Sequence, residues 1–157
     1  MTDCRHTREV ASQAGFTLLE LLVVLGILAL ALAIMTPSLN RSREQLVLRS
    51  TTYELAAHLR SARAAAQAGN IEHALTIDLA ARRYWAEGVV APRPLPQPID
   101  IEVLVPESER VGATGGRIRF FPDGGTSGAR VVLKDSNTTA AVLVDWLNGD
   151  VRVHLRP

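Results

Sequence analysis

One cysteine, Cys4, stands in a chain of 157 residues, so neither a disulfide framework nor a paired-cysteine metal or redox site can be built from it. Aromatic residues make up only 4% of the chain, too few for the stacking platforms on which single-stranded nucleic acids lie. Charge of one sign is missing too: 17 Lys and Arg against 16 Asp and Glu leave a formal net charge of +1, and no basic surface for a polyanion is implied. The four histidines, His6, His58, His73 and His154, never reach the spacing of a metal-ligating pair. The acids Asp123, Asp135 and Asp145 are too scattered for a calcium loop. Gly112–Gly116 lacks the Gly-Lys-Ser/Thr ending of a phosphate loop, and Ser127, though set among glycines, does not fit a nucleophile elbow. No catalytic residue, cofactor site or metal site is expected.

What the chain has is one long apolar run near its start. Phe16 to Met35 is 20 residues, about 30 Å as a helix, the thickness of a bilayer's hydrocarbon core. Its one acid, Glu20, lies near the front. A carboxylate in lipid costs on the order of a few kcal/mol unless protonated or paired, which marks Glu20 as a functional residue. A secretory signal peptide fits poorly, because the run is too long and Met35-Thr36-Pro37-Ser38-Leu39 is a poor cleavage site. The residues alone leave two readings level: a plain membrane anchor with Glu20 near the interface, or an anchor whose acid has a task.

Past Pro37 a second helical pattern runs to about Ala68. Leu48, Thr52, Leu55, Leu59, Ala62 and Ala66 recur at intervals of three and four, a single stripe on a helix otherwise carrying Arg41, Arg43, Glu44, Arg49, Glu54, Arg60 and Arg63. Such a charged face is either solvated or meets a neighbouring subunit. Pro37 itself either kinks one continuous helix or marks its end at Thr36. Gly69-Asn70 reads as a helix stop. Thereafter the period is two. Strands are expected over 71–79, 82–90, 99–105, 117–121, 129–134, 140–146 and 150–155. Pro92, Pro94, Pro96 and Pro98 exclude a central strand and suggest a rigid loop. Gly112–Gly116 is a loop, Asn148-Gly149 marks a tight hairpin, and Phe120, Phe121 and Trp146 are expected to serve the core. The fold class is α+β: a long N-terminal helix packed on an antiparallel sheet domain of about seven strands.

The string Gly15-Phe16-Thr17-Leu18-Leu19-Glu20-Leu21-Leu22-Val23-Val24 resembles the class III signal of type IV pilins and type II secretion pseudopilins. The resemblance implies cleavage by prepilin peptidase between Gly15 and Phe16, and N-methylation of the Phe16 amine. It also implies that Glu20 acts in assembly, paired with that amine on a neighbouring subunit, and that Pro37 kinks the helix. The organisation expected is a leader over 1–15, a transmembrane half-helix over 16–36, an amphipathic half over 37–68 and a β-rich periplasmic domain over 69–157. In the leader, Arg5 and Arg8 stand against Asp3 and Glu9, so the orientation across a bacterial inner membrane, single-pass with the C-terminal domain in the periplasm, follows from the resemblance and not from charge.

Further along, Arg63-Ala64-Ala65-Ala66 with Gly69-Asn70, the stretch from Ile118 to Gly128 that holds Phe121-Pro122-Asp123-Gly124, and Val144-Asp145-Trp146-Leu147-Asn148-Gly149 are similar to the H-type minor pseudopilins of type II secretion. That resemblance implies a structural subunit of the periplasmic pseudopilus that drives protein export. Its partners would be other pseudopilins through the N-terminal helix, prepilin peptidase, the inner-membrane assembly platform and secreted substrates. The alternative is a minor type IV pilin acting in pilus assembly or DNA uptake. Such pilins carry a Gly-Arg-x-Arg element, where this chain has Gly149-Asp150-Val151-Arg152; the acid at 150 works against phosphate, and DNA is not expected as a partner.

Overall fold

The computed structural model describes residues 17–97, 99–136 and 138–156, with the backbone alone for 33–42. It divides into two compact units, Met1–Leu39 and Asn40–Pro157. Gly15 and Phe16 lie outside the described residues.

In the first unit, Thr17 starts helix α1, which extends over Leu18–Gly69 and so continues into the second unit. The helix passes through Pro37, so it does not end at Thr36. Side chains from Leu18 to Leu32 are exposed on every face, from 48% at Val24 to 84% at Leu18 among the large apolar ones. Among the described residues no helix is long and apolar enough to cross a membrane; the run expected to do so, 16–36, reaches past the described side chains at both ends.

In the second unit, the stripe read from the sequence is the buried one. Leu48, Thr52, Leu55, Leu59, Ala62 and Ala66 all have essentially no exposure. Thr52 tolerates this because its hydroxyl donates to the Leu48 carbonyl at 2.6 Å. The helix stops as a Schellman motif: Asn70 takes the left-handed conformation (φ 49°) and the Ile71 N–H reaches back to the Ala66 carbonyl at 3.2 Å.

Nine strands follow among the described residues: β1 His73–Asp78, β2 Arg83–Ala86, β3 Val90–Pro94, β4 Asp100–Leu104, β5 Arg110–Val111, β6 Gly115–Phe120, β7 Ala129–Lys134, β8 Thr139–Val144 and β9 Val151–Arg156. They form two antiparallel sheets, one ordered β3-β2-β1-β6-β5 and the other β4-β7-β8-β9. One core joins the helix stripe to Leu75, Ile77, Ile118 and Phe120 of the first sheet and Val131, Leu133 and Val142 of the second.

The strand count exceeds seven for two reasons. The prolines suggest a loop, yet Val90–Pro94 pairs with β2 as an edge strand, where a missing N–H on the outer side costs nothing. Arg82 fastens the rest of that stretch, donating to the carbonyls of Leu95 (3.4 Å), Pro96 (2.7 Å) and Ile99 (3.0 Å). The glycine-rich loop is shorter than read, because Gly115 and Gly116 already belong to β6 and face β5. There a Cβ on Gly115 would meet the Ile77 carbonyl at 2.5 Å, so only glycine fits.

Candidate functional site

Two places gather the residues that the sequence singles out. The first is the start of α1. Thr17 is its N-cap: its hydroxyl accepts the Glu20 N–H at 3.2 Å, and its carbonyl accepts the Leu21 N–H at 3.2 Å. Thr17-x-x-Glu20 is therefore the spacing of a capping box, in which a carboxylate at the third helical position suits the positive end of the helix dipole. Glu20 is exposed, in a turn whose neighbours Leu18, Leu19, Leu21 and Leu22 are exposed as well. Gly15-Phe16, the pair at which cleavage is expected, immediately precedes this cap in sequence and lies outside the described residues. Pro37 is placed in the helix by its backbone.

The second place lies in the other unit, where three separated strings meet. The loop after β6 braces itself. The Gly125 carbonyl accepts the Phe121 N–H, the Asp123 carboxylate accepts the Gly125 N–H (both 2.9 Å), and the Thr126 hydroxyl donates to the Arg119 carbonyl at 2.6 Å. Ser127 is spent in the same way, its hydroxyl accepting the Arg119 N–H at 3.1 Å. The β8–β9 turn is longer than the two-residue hairpin expected. It is closed between Asp145 and Asp150, with Asp145 accepting from Leu147 through its side chain (2.9 Å) and from Gly149 through its carbonyl (2.8 Å). Gly124 (φ 91°) and Gly149 (φ 66°) then come together on the helix. A Cβ on Gly149 would lie 2.5 Å from the Gly124 carbonyl and 2.9 Å from Arg63 Nε; one on Gly124 would lie 2.8 Å from Gln67 Nε2. The Arg63 Nε is buried there with no hydrogen bond. The three strings thus make one joint, which seats the ends of both sheets on α1.

Two of the charged helix residues that sequence left between solvent and neighbouring subunits are used inside the chain. Arg60 donates to the Val151 carbonyl at 2.7 Å, and Glu44 accepts the Ser136 hydroxyl at 3.0 Å. His58 is 2.9 Å from the Tyr84 hydroxyl through Nδ1. Burial, and next the Glu54 carboxylate, push the Tyr84 phenol up to about 12. Arg119 bridges Glu109 (3.1 Å) and Glu72 (2.8 Å), and its hydrogen bond to Glu109 is the main reason its pKa is raised.

Arg152, the one arginine left in the position of the DNA-uptake element, is paired with Asp150 at 2.8 Å, and that bond lowers the Asp150 pKa. Phe120 is core as expected, but Trp146 is not. It stands 70% exposed at the β8–β9 turn beside Leu147, 71% exposed, because the turn lifts both clear of the sheet. Nothing in the residue pattern separates this tryptophan from a core one.

The prokaryotic N-terminal methylation motif matches residues 10–36, and the family described as type II transport protein GspH matches residues 51–148. A curated relative, the type II secretion system protein H of Xanthomonas campestris pv. campestris, is 31% identical over 138 residues, covering 88% of this chain and 81% of that protein. The solved structure of the minor pseudopilin EpsH from the type 2 secretion system of Vibrio cholerae shares the fold, with a TM-score of 0.54 over 68% of this chain and 94% of that one, at 10% identity.

Proposed function

Because the chain belongs to the type II transport protein GspH family, the minor pseudopilins of type II secretion, we propose that it works as a membrane-anchored structural subunit that becomes competent for assembly only after its leader is removed. Prepilin peptidase cuts between Gly15 and Phe16, and the new Phe16 amine is methylated. The helix then anchors the chain once in the bacterial inner membrane, with the β-rich domain in the periplasm. Glu20 pairs with the Phe16 amine of a neighbouring pseudopilin, since each charge is costly alone in lipid and the two offset each other. The assembly platform of the inner membrane and the exported proteins are further partners. No chemical step is assigned to the chain itself.

The observation that carries this reading is the contrast along α1. From Leu48 to Ala66 the helix buries one stripe in its own domain, whereas from Leu18 to Leu32 it is apolar and exposed all round, with one acid in its first turn. Mass spectrometry of the chain isolated from membranes of cells with active prepilin peptidase tests it. The expected N-terminus is methylated Phe16; a retained Met1 would overturn the proposal.

A further inference from the structure

The two sheets treat their edges differently. An exposed edge strand is a template for pairing with another chain, and proteins commonly blunt it with proline, with short strands or with charge. The first sheet follows that rule at both ends: β3 carries Pro92 and Pro94, and β5 has only two residues. The second sheet does not. Its outer strands are β4, with five residues, and β9, with six, and neither contains a proline.

Charge is present on both, but with opposite signs. On the face turned away from the core, β4 displays the acids Asp100 and Glu102, and β9 displays the bases Arg152 and Arg156 with His154 between them, all exposed. Charge of one sign on both edges would keep copies apart; opposite signs draw the two edges together. Asp100, His154 and Arg156 have no ion-pair partner among the described residues, and Glu102 is held only by an exposed Lys134 at 3.5 Å.

Strand direction and register agree. All pairings in the sheet are antiparallel, so β9 of one copy placed beside β4 of a second copy, related by translation, is again antiparallel. The ladder puts Asp100, Lys134, Thr139 and Arg156 in one cross-sheet row and Glu102, Val132, Ala141 and His154 in the next. Continuing the rows sets Arg156 against Asp100 and His154 against Glu102 of the second copy. The Val151 carbonyl points away from β8, to Arg60, so Val153 and Leu155 turn their backbone groups to the free edge, and His154 falls in a pair that is not hydrogen-bonded, where side chains approach most closely.

We infer that the second sheet is a head-to-tail docking surface for another copy of this chain, β9 of one extending the sheet at β4 of the next. Such a contact is heterologous and does not close on itself, so it generates rows of copies and not a two-fold dimer. It does not depend on leader cleavage or on Glu20.

Cross-linking of the full-length chain in membranes tests it, in a Cys4→Ser background that removes the one native cysteine. Under mild oxidation, cells producing a Glu102→Cys chain together with a His154→Cys chain should yield a disulfide-linked dimer, and a chain carrying both substitutions should yield a ladder. Replacing His154→Cys by Arg93→Cys, on the edge of the first sheet, should give none. Reversing the acids with Asp100→Lys, alongside Glu102→Cys, should cut the yield about tenfold, and His154→Cys with Arg156→Glu in the other chain should restore it. All these positions are exposed, and retained circular dichroism would exclude unfolding as the cause of a loss. No disulfide above the Arg93→Cys control would overturn the inference. So would a Glu102→Cys chain that captures only a different protein, or a yield indifferent to charge reversal.

Discussion

Gly149 shows how much one atom decides. Its φ of 66° is strained for any side chain, and its α-carbon lies so near the Gly124 carbonyl and Arg63 that a methyl group would meet them at 2.5 and 2.9 Å. Backbone cannot give way as a flexible side chain can. Gly149→Ala is therefore expected to destabilise the domain by about 2–4 kcal/mol, partly through the left-handed conformation and partly by prising the β8–β9 turn off the helix. Denaturant unfolding measures this directly. Gly88, with φ 71° and open space around it, is the control: Gly88→Ala has only the conformational cost, about 1–2 kcal/mol. Equal losses at the two positions would show that the joint on Arg63 contributes nothing beyond backbone strain.

Between elements, the contact of β2 with α1 makes stability depend on alkaline pH. Tyr84 is buried against the helix with its hydroxyl on His58, and its pKa is raised from 10.0 to about 12. Between those values the unfolded chain has lost the phenolic proton and the folded chain keeps it. The contribution is thus full below pH 10 and disappears as pH rises through about 12, by roughly 2–3 kcal/mol in all. Between pH 10 and about 12 wild type should lose roughly 2–3 kcal/mol relative to Tyr84→Phe, which has no phenol to titrate; melting curves that stay parallel over that window would refute the account. The helix side of this contact was legible in advance, since spacing alone gives the stripe from Leu48 to Ala66. So were β7 to the residue, and the helix stop at Gly69-Asn70. Where reading failed, a tertiary partner overrode the local signal. Prolines forbid a central strand but not the edge that β3 occupies, and two glycines that signal a loop are in β6 because β1 and β5 press against Gly115, and Val103 and Val105 against Gly116, too closely for a side chain. The joint around Arg63 was visible only as three unconnected strings, because adjacency in space leaves no spacing in sequence. Trp146 was misplaced for a related reason: an exposed aromatic and a buried one are the same letter.

For the molecule as a whole, the question is what Glu20 is for, and the structure supplies a second role beside the proposed one. Thr17 and Glu20 have the spacing of a capping box, and a carboxylate there would steady the first turn of α1 without any neighbour. The two roles make different demands. Capping is satisfied by a glutamine, which keeps the acceptor at the same position and changes helix stability by no more than about 0.5 kcal/mol. Pairing with the Phe16 amine requires the negative charge, and its loss leaves an ammonium unmatched in lipid at a cost of a few kcal/mol, equivalent to more than about tenfold in assembly. Glu20→Gln and Glu20→Leu should therefore behave alike: both chains still cleaved and held in the membrane, both deficient in co-purification with other pseudopilins and in export by at least about tenfold. Glu20→Asp, which retains the charge on a shorter side chain, should recover part of the loss. If Glu20→Gln matches wild type while Glu20→Leu fails, capping is the whole of the residue's task and the pairing proposal falls. Normal assembly by all three would remove the acid from the mechanism altogether.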